Sequence, residues 1–453
     1  MNHDTENVVP AAHAPRERLT GRHWLYFTMI TLVLLTDGMD VTIVSHVFPT
    51  LIKEWGVSVG GGIAFVVAVG FLAMGLGAII SGALSVRWGR KTILILSVVI
   101  FGSATALGGT SADFTQFVIW RLLGCVGMGA AMASGNTLLA DLVPARSRAG
   151  LLAAAYAGVG LGTTVGATLA GLLLPTVGWR ALLIVGGVIP LVIILVLAFV
   201  VPESPARRAA KLAGTMPVKV PAKDRVSVRT VLGKKFVTTT LLLWIFGFFS
   251  LGTQLLIAQY LPTLLQLPVP GLDTVQSSTI VGLYGFTSVL GSIVLGLLLA
   301  RGSRFTVIGG ALCLAAVMAL VVSMAREPSF GSLLVILGIT GFILPSAFGP
   351  TRGVLAAMSF PESARGLGMG VTEFGGRLGS ATGGVVGGTL IATGMGLSGI
   401  FLVLLLPIGV LLGALAGLRQ QSRHFQAAEE TFDGSNAAKP EPKRKTSLQS
   451  VED

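Results

Sequence analysis

The stretch Leu25–Phe48, LYFTMITLVLLTDGMDVTIVSHVF, is largely apolar but holds two carboxylates near its middle, Asp37 and Asp40. A run of about 20 mostly apolar residues is long enough to cross the hydrocarbon core of a bilayer as a helix. Residues three apart lie on one face of a helix, so the two carboxylates share a face. An acid at that depth is costly and usually faces a polar pathway that relays protons or holds cations. The stretch therefore predicts a transmembrane helix in a protein that moves something across a membrane.

The composition of the whole chain is typical of an integral membrane protein. Its 453 residues are 53% hydrophobic and 11% charged, whereas a soluble protein carries about a quarter charged residues. The first apolar run is long enough to span, which predicts an uncleaved helix rather than a signal peptide. Cys125 and Cys313 lie in apolar segments of opposite halves and offer neither a disulfide framework nor metal-ligand spacing.

The hydropathy pattern predicts an all-α membrane protein with twelve transmembrane helices, in two halves of six. The predicted domains are a cytoplasmic N-terminal segment 1–23, an N-terminal half 24–201, a cytoplasmic linker 202–236, a C-terminal half 237–418 and a disordered cytoplasmic tail 419–453. The predicted spans, numbered 1 to 12, are 24–47, 61–84, 92–110, 114–140, 149–174, 180–201, 237–263, 276–300, 304–325, 330–358, 365–393 and 397–418.

Positive charge is distributed unequally between the two sides of the predicted bundle. An even number of spans puts both termini on one side, and 26 of the 32 Lys and Arg residues lie there. The opposite side carries Lys53, Arg180 and Arg326. The positive-inside rule makes the side with the termini cytoplasmic. The net charge of +12 therefore reflects the excess of Lys and Arg on the cytoplasmic side of the membrane. It favours contact with anionic membrane lipid and indicates no nucleic-acid partner.

A faint internal repeat relates the two halves at an offset of 217 residues. The segment 144–148 after span 4 matches 361–365 after span 10. The glycines of span 5 match those of span 11 in the same register, namely Gly158, Gly162 and Gly166 with Gly375, Gly379 and Gly383. Small residues four apart let helices approach closely. Parallel repeats of this kind place a substrate site near the bilayer midplane, between the two halves.

Two motifs are the turn 82–91, GALSVRWGRK, and the segment 121–129, RLLGCVGMG. The first resembles the signature between helices 2 and 3 of the Major Facilitator Superfamily, and the second resembles the helix 4 signature of that superfamily. The resemblance implies conformational gating by residues of these turns and their repeats, namely Gly82, Arg87, Gly89, Arg90, Arg148 and Arg365. Val86 and Ala300 stand where such turns usually carry an acid that helps to latch the halves.

Within that superfamily the chain resembles the aromatic acid:proton symporters. The likeness covers residues 24–418 and rests chiefly on Asp37-Gly38-Met39-Asp40, with Gly178-Trp179-Arg180 and Pro202-Glu203-Ser204 in support. It implies proton-driven import of an aromatic carboxylate through a bacterial inner membrane. Glu373 stands where the pattern has a small residue, and Arg352 is not part of the pattern.

Asp37, Asp40 and Glu373 are the candidates for proton coupling. Burial and a like-charged neighbour both favour the protonated form of a carboxyl group, which lets it exchange a proton in the working pH range. By position Asp37 and Asp40 meet both conditions, and we expect Asp40 to be the main proton carrier with Asp37 as its partner. The alternative is that they cap a helix broken at Gly38 or pair structurally with arginines.

Arg121 and Arg377 are the candidates for binding the substrate carboxylate. Arg121 lies roughly 10 Å into span 4, and its guanidinium can grip a carboxylate through two parallel hydrogen bonds. It can equally pair with Asp37 or Asp40, and a proton on that aspartate would free it. Arg377 can instead pair with Glu373, four residues earlier on the same face.

Two further polar residues in the spans have structural interpretations. Arg352 lies near the cytoplasmic end of span 10, where we expect it to snorkel to the lipid headgroups. His46 lies near the outer end of span 1 and is expected to be an interfacial or packing residue.

An aromatic substrate also needs flat apolar walls and a few polar anchors. Spans 4, 7 and 8 supply candidates for both roles. The candidate walls are Trp244, Phe248, Tyr260 and Tyr284, and the candidate hydrogen-bond partners are Asn136 and Gln254.

These features predict a monomeric proton-coupled symporter that imports a small aromatic carboxylate, hydroxybenzoate-like or phenylpropionate-like, by alternating access. The alternative is a proton-driven exporter of drugs or metabolites with the same fold, which the intramembrane arginines disfavour because they would repel cations. A membrane enzyme or sensor would need a catalytic cluster or a signalling domain, and neither is evident in the sequence. We therefore expect no enzymatic activity and no cofactor or metal. The glycine-rich runs lack the strand context and the lysine of nucleotide loops.

Overall fold

The computed structural model describes residues 19–212, 233, 236–325, 328–360 and 362–437, which are helical apart from short connections. The N-terminal half contains α1 (Gly21–Trp55), α2 (Ala64–Trp88), α3 (Arg90–Gly108), α4 (Phe114–Leu142), α5 (Ala145–Val200) and α6 (Pro205–Leu212), with a π-helical turn at Val59–Ile63. The C-terminal half contains α7 (Val237–Gln266), α8 (Thr274–Arg301), α9 (Arg304–Met324), α10 (Phe330–Ser359), α11 (Glu362–Ala392), α12 (Leu397–Val403) and α13 (Leu405–Ala437).

Local sequence explains several helix boundaries. Asp113 precedes α4 and Asp273 precedes α8, and each accepts a 2.8 Å hydrogen bond from the backbone N–H three residues later, as N-cap aspartates do. Helix α1 ends at Gly56, which adopts the left-handed conformation (φ 64°) that a residue without a Cβ tolerates.

Helix α5 is long enough to hold two of the predicted spans. At 1.5 Å per residue, its 56 residues exceed twice the ~30 Å thickness of a hydrocarbon core. The backbone leaves helical geometry at Gly178 (φ 81°), between the predicted spans 149–174 and 180–201. One continuous element therefore contains spans 5 and 6 on either side of this break.

By length and composition, ten helices among the described residues can cross a membrane. One of the ten is the 51-residue stretch Gly150–Val200, which contains two predicted spans. Helix α11 is not among them, because Glu373 and Arg377 near its centre and its many glycines lower its hydropathy. The all-helical membrane fold is thus confirmed, whereas the number twelve stays a prediction.

Two helices extend into segments outside the predicted spans. Helix α13 continues to Ala437, within the segment from residue 419 whose disorder stays a prediction. The residues after 419 are rich in Gln, Ala and Glu, which are good helix formers and extend the last span. Helix α6 likewise occupies part of the predicted linker. Residues 1–18, 213–232, 234–235 and 438–453, which hold the rest of the N-terminal segment, linker and tail, lie outside the described residues.

The glycines of the internal repeat form the same contact in both halves. In the N-terminal half, Gly38 on α1 meets the backbone of Val159 on α5, and Gly162 on α5 meets the carbonyl of Leu35. In the C-terminal half, Gly379 on α11 meets the carbonyl of Phe248 on α7. The repeat therefore relates the helix pairs α1–α5 and α7–α11, and the first pair holds the α1 carboxylates against α5.

The two halves meet along α2–α11 and α5–α8. One end of the bundle carries the loop after Trp55 and is called here the loop-1 end. There, a Cβ at Gly60 would lie 2.7 Å from Cβ of Ala392, and Gly388 faces Ala64 at similar range. Between α5 and α8, the Thr164 hydroxyl lies 3.1 Å from the carbonyl oxygen of Gly282, to which it donates a hydrogen bond. The loop-1 end is therefore closed by close helix contacts.

Toward the opposite end, called here the terminal end, glycines of the same helices make no such close contacts. A Cβ at Gly75 or Gly82 of α2, at Gly296 of α8 or at Gly370 of α11 would meet no described atom within 4 Å. The close glycine-mediated contacts between the halves are thus concentrated near the loop-1 end. The charged residues of the predicted site lie between the two ends.

Candidate functional site

Asp40 forms the most deeply buried ion pair among the described residues. It is inaccessible to solvent. Its Oδ2 pairs with Nη1 of Arg121 on α4, and its Oδ1 accepts a 2.9 Å hydrogen bond from the Thr105 hydroxyl on α3. Both carboxylate oxygens therefore have donors, as a buried charge requires. The ion pair between Arg121 and an α1 aspartate, one of the sequence alternatives, is the arrangement that the structure adopts.

Asp37 lies one helical turn from Asp40 and is less well satisfied. Its Oδ1 is buried and has no hydrogen-bond partner among the described residues. Arg377 on α11 of the opposite half interacts with it electrostatically, as does Arg121. The two guanidinium groups favour the ionised form of Asp37, whereas its unpartnered buried oxygen costs free energy.

Arg377 faces the N-terminal half from the centre of α11. Its Nη2 lies 3.4 Å from Sδ of Met132 on α4, a weak contact for a guanidinium. No carboxylate of the described residues lies within ion-pairing distance of it. Arg377 is therefore available to bind an anion from the space between the halves.

Glu373 pairs with Arg352 rather than with Arg377. Arg352 Nε donates to Oε1 of Glu373 at 2.8 Å and Nη2 donates to Oε2 at 3.4 Å. The expectation that Arg352 snorkels to lipid headgroups is wrong, because its side chain is only 5% accessible. The neighbouring helix α10 places a guanidinium directly against the carboxylate.

Tyr156 is a member of this site that the sequence did not single out. It lies on α5 of the N-terminal half and interacts electrostatically with Arg352 and Glu373 of the C-terminal half. Thr105 and Met132 were also missed. A lone Thr, Met or Tyr in a span is most often a packing residue, so only their proximity to the charged groups reveals them.

Arg121 borders a small cavity. The cavity has a volume of about 10 Å³, near the minimum that a water molecule needs. Its lining includes Phe48, Phe71, Cys125 and, from α7, Gln259. Arg121 therefore lies close to the junction of the two halves.

The predicted aromatic wall residues make different contacts. The Trp244 ring packs on Phe374 of α11, with ring centroids 6.4 Å apart, and Tyr284 is buried in α8. The Tyr260 hydroxyl donates to the carbonyl of Gly384 at 2.8 Å, so Tyr260 joins α7 to α11. Phe248 packs edge-on against its neighbour Phe249, with ring centroids 5.2 Å apart.

The two predicted amide anchors lie in separate helices. Asn136 is half-buried on α4. The Gln254 side chain lies against Gly349 of α10, and its Oε1 is buried without a partner among the described residues.

His46 lies in the protein interior. It is 1% accessible, and its Nδ1 lies 2.8 Å from the carbonyl oxygen of Thr42. Of the two structural interpretations, the packing one is therefore confirmed and the interfacial one is wrong.

The predicted gating residues lie at the terminal end. Arg90 pairs with Asp141 of α4 at 2.6 Å, whereas Gly82, Arg87 and Arg148 are exposed. The side chain of Arg365 lies outside the described residues.

Glu203 adds a contact that the sequence did not predict. Gly89 joins α2 to α3 with φ 93°, and a Cβ there would collide with the Glu203 carboxylate. Glu203 Oε1 accepts a 3.1 Å hydrogen bond from the backbone N–H of Lys91. This carboxylate at the N-terminus of α3 is favoured by the helix dipole and ties the end of α5 to the turn.

The chain is similar to known transporters. A sequence profile described as the Major Facilitator Superfamily matches residues 30–349 and 271–449. The chain is 29% identical to a 4-hydroxybenzoate transporter of Pseudomonas aeruginosa, covering 88% of this chain and 92% of that one. It is 30% identical to a gallate transporter of Pseudomonas putida, covering 85% and 89%. It is 27% identical to a 3-(3-hydroxy-phenyl)propionate transporter of Escherichia coli, covering 84% and 90%.

Solved structures share the fold. A D-xylose-proton symporter superposes with a TM-score of 0.68 at 19% identity, covering 87% of this chain and 97% of that one. A bacterial homologue of the human lysosomal transporter Spinster superposes with a TM-score of 0.66 at 16% identity, covering 90% and 98%. At these identities the likeness concerns the fold alone.

Proposed function

The chain belongs to the Major Facilitator Superfamily, and from that premise we propose that it imports a small aromatic carboxylate together with a proton. It is a multi-pass membrane transporter and not an enzyme, so the predicted family and class are confirmed. The substrates named for its relatives, 4-hydroxybenzoate, gallate and 3-(3-hydroxy-phenyl)propionate, are small aromatic acids. This supports a substrate of the same class.

The observation that carries the proposal is the buried pair of Asp40 and Arg121. Removing one charge from such a pair leaves the other uncompensated in a poorly solvated site, at a cost of about 3–5 kcal/mol. A proton on Asp40 therefore creates an arginine that needs a new anion, and a substrate carboxylate supplies it through two parallel hydrogen bonds. Proton and anion each favour binding of the other, which is the thermodynamic requirement for symport.

The charges around the site suggest one proton for each monocarboxylate. Three acids and three arginines surround it, namely Asp37, Asp40 and Glu373 with Arg121, Arg352 and Arg377. With all six ionised the group is neutral. One added proton leaves one excess positive charge, which one carboxylate neutralises. The loaded and empty sites then carry the same charge, so neither state is penalised in crossing the low-dielectric centre.

Alternating access would move the two halves, 24–201 and 237–418, against each other around this site. The loop-1 end is closed along α2–α11 and α5–α8, and the positive-inside rule makes the terminal end cytoplasmic. In this arrangement the site would release substrate and proton to the cytoplasm, where Asp40 and Arg121 pair again. The turn around Gly89 and its ion pairs would act as the latch at the terminal end.

A transport assay on reconstituted protein tests the proposal. Liposomes containing the wild type, Asp40→Asn or Asp113→Asn are supplied with labelled 4-hydroxybenzoate under an imposed pH gradient, alkaline inside. Asp113→Asn is the matched control, because asparagine also caps a helix. We expect the gradient to drive accumulation in the wild type and the control but not in Asp40→Asn. A potassium diffusion potential alone should drive none, because the loaded complex carries no added charge.

Two outcomes would overturn the proposal. Accumulation that does not depend on the pH gradient, or that Asp40→Asn retains, would rule out proton coupling through Asp40 and Arg121. Failure to take up any aromatic acid, together with expulsion of a hydrophobic cation from cells expressing the protein, would favour the exporter.

A further inference from the structure

Glu373 combines a buried partner with an accessible carboxylate. The side chain of Arg352 is 5% accessible and that of Glu373 is 47% accessible. An ion pair that serves only to tolerate two charges in a membrane has no need to expose one of them. The accessible carboxylate lies on α11 opposite Tyr156 of α5, so it faces the space between the halves.

Arg352 holds Glu373 in one orientation. It donates one hydrogen bond to each carboxylate oxygen, which is the two-point geometry that restricts both rotation and tilt. An ionised carboxylate has about four acceptor positions, and Arg352 uses two of them. The remaining positions can accept hydrogen bonds from a ligand without loss of the ion pair.

Arg377 lies on the same face of α11 as Glu373, one helical turn or about 6 Å along the axis, and the two side chains form no ion pair. Groups that hold opposite ends of an aromatic ring must be separated by the ring and by one hydrogen bond at each end. Two long side chains that diverge from one helix face can provide that separation. The facing groups are Met132 of α4 and Tyr156 of α5, and a thioether and an aromatic ring are suitable neighbours for a flat π-system.

We propose that Glu373, oriented by Arg352, accepts a hydrogen bond from a ring hydroxyl of a substrate whose carboxylate is bound between Arg377 and Arg121, the two guanidinium groups near Asp37. Glu373 would then determine specificity, selecting hydroxylated aromatic monocarboxylates and rejecting acids with a second carboxylate at that position by charge repulsion. The inference rests on the proposed import of aromatic acids. It replaces proton coupling as the role of Glu373, because a substrate carboxylate bound at Arg377 and Arg121 could not take the place of Glu373 as the counter-ion of the buried Arg352.

A comparison of ring substituents measures this role. Uptake of benzoate, 4-hydroxybenzoate and 4-methoxybenzoate is measured in cells expressing equal amounts of each protein. A hydrogen bond to a charged group corresponds to roughly a 10- to 100-fold preference. We expect the wild type to prefer 4-hydroxybenzoate over both analogues by that factor in kcat/KM, because benzoate has no hydroxyl and the methoxy oxygen cannot donate a hydrogen bond.

A double variant removes both charges of the Arg352–Glu373 pair at once. Arg352→Gln combined with Glu373→Gln leaves no unpaired charge in the membrane, and we expect the preference for 4-hydroxybenzoate over benzoate to fall to about threefold or less. Arg180→Gln with Glu54→Gln is the control. It neutralises an accessible pair at the loop-1 end and should keep the preference. Equilibrium binding to the purified double variant gives the same ratio if its transport is too slow to measure.

The outcomes separate this inference from the proposed function. If the wild type transports none of the acids, the proposed function fails. If it transports benzoate and 4-hydroxybenzoate equally well, only the inference fails. The inference is also overturned if the double variant keeps the full preference, or if it loses affinity for both acids by the same factor.

Discussion

At the scale of single residues, the two α1 aspartates differ more in their surroundings than their shared motif suggests. Asp40 has a donor for each oxygen, from Arg121 and Thr105. Asp37 has a buried oxygen without a donor among the described residues. The difference between the fully hydrogen-bonded Asp40 and the partly unsatisfied Asp37 therefore depends on donors from α3 and α4, not on α1 alone.

Replacing Thr105 by valine tests the contribution of the neutral donor. Valine keeps the shape but removes a hydrogen bond to a charged group, worth about 1.5–3 kcal/mol. The ionised form of Asp40 then loses stabilisation, so proton release becomes less favourable. We expect the rate of acid uptake per transporter to fall by roughly tenfold. Thr105→Ser keeps the hydroxyl and should stay near the wild-type rate, and equal rates for the two variants would contradict this role.

At the scale of helices, the position of the carboxylates depends on how closely α1 approaches α5. Gly38 lies between Asp37 and Asp40 in the sequence, and its Cα packs directly against the backbone of Val159. The glycine supports helix contact rather than a break, since α1 runs unbroken from Gly21 to Trp55. The alternative in which the aspartates cap a broken helix is therefore wrong.

Gly38→Ala should separate these two helices. A Cβ at this position collides with the carbonyl of Val159, which belongs to the backbone and cannot rotate away. Overpacking of this kind costs about 1–3 kcal/mol, and it also shifts both carboxylates. We expect a lower unfolding temperature in detergent and a loss of uptake. Gly296→Ala, where a Cβ meets no described atom within 4 Å, serves as the control, and equal stability of the two variants would refute the argument.

At the scale of the whole molecule, access to the site depends on contacts between the halves at the loop-1 end. Import requires α2–α11 and α5–α8 to separate there, and then to close again before release. Because these contacts are made by glycines and small side chains, they bring backbones together without the interdigitation of large side chains. Such surfaces can part and meet again with little repacking.

A reversible cross-link tests this motion. A Cβ built at Gly282 lies 3.7 Å from Cβ of Ala167, within the range of about 3.5–4.5 Å that a disulfide requires. Ala167→Cys with Gly282→Cys should therefore form a disulfide on mild oxidation and hold the loop-1 end closed. We expect oxidation to abolish uptake and a reductant to restore it, with each single cysteine variant unaffected. Undiminished transport by the fully cross-linked protein would exclude this opening.

The sequence by itself determined the membrane class, the helical fold, the family and the residues that bear charge inside the membrane. Apolar length and charge placement report directly on the cost of burial in lipid, which each segment experiences on its own. The predicted spans agree with the helix bounds within a few residues at most ends. The close approach of the repeat glycines was predictable for the same local reason.

Only the tertiary structure decided which charges meet. Arg352 pairs with Glu373 across two helices, although Arg377 on the same helix was the nearer partner in sequence. Thr105, Met132 and Tyr156 join the site because α3, α4 and α5 bring them there. Ion pairing depends on distance in space, and helix packing sets that distance in ways that the order of residues along one span does not encode.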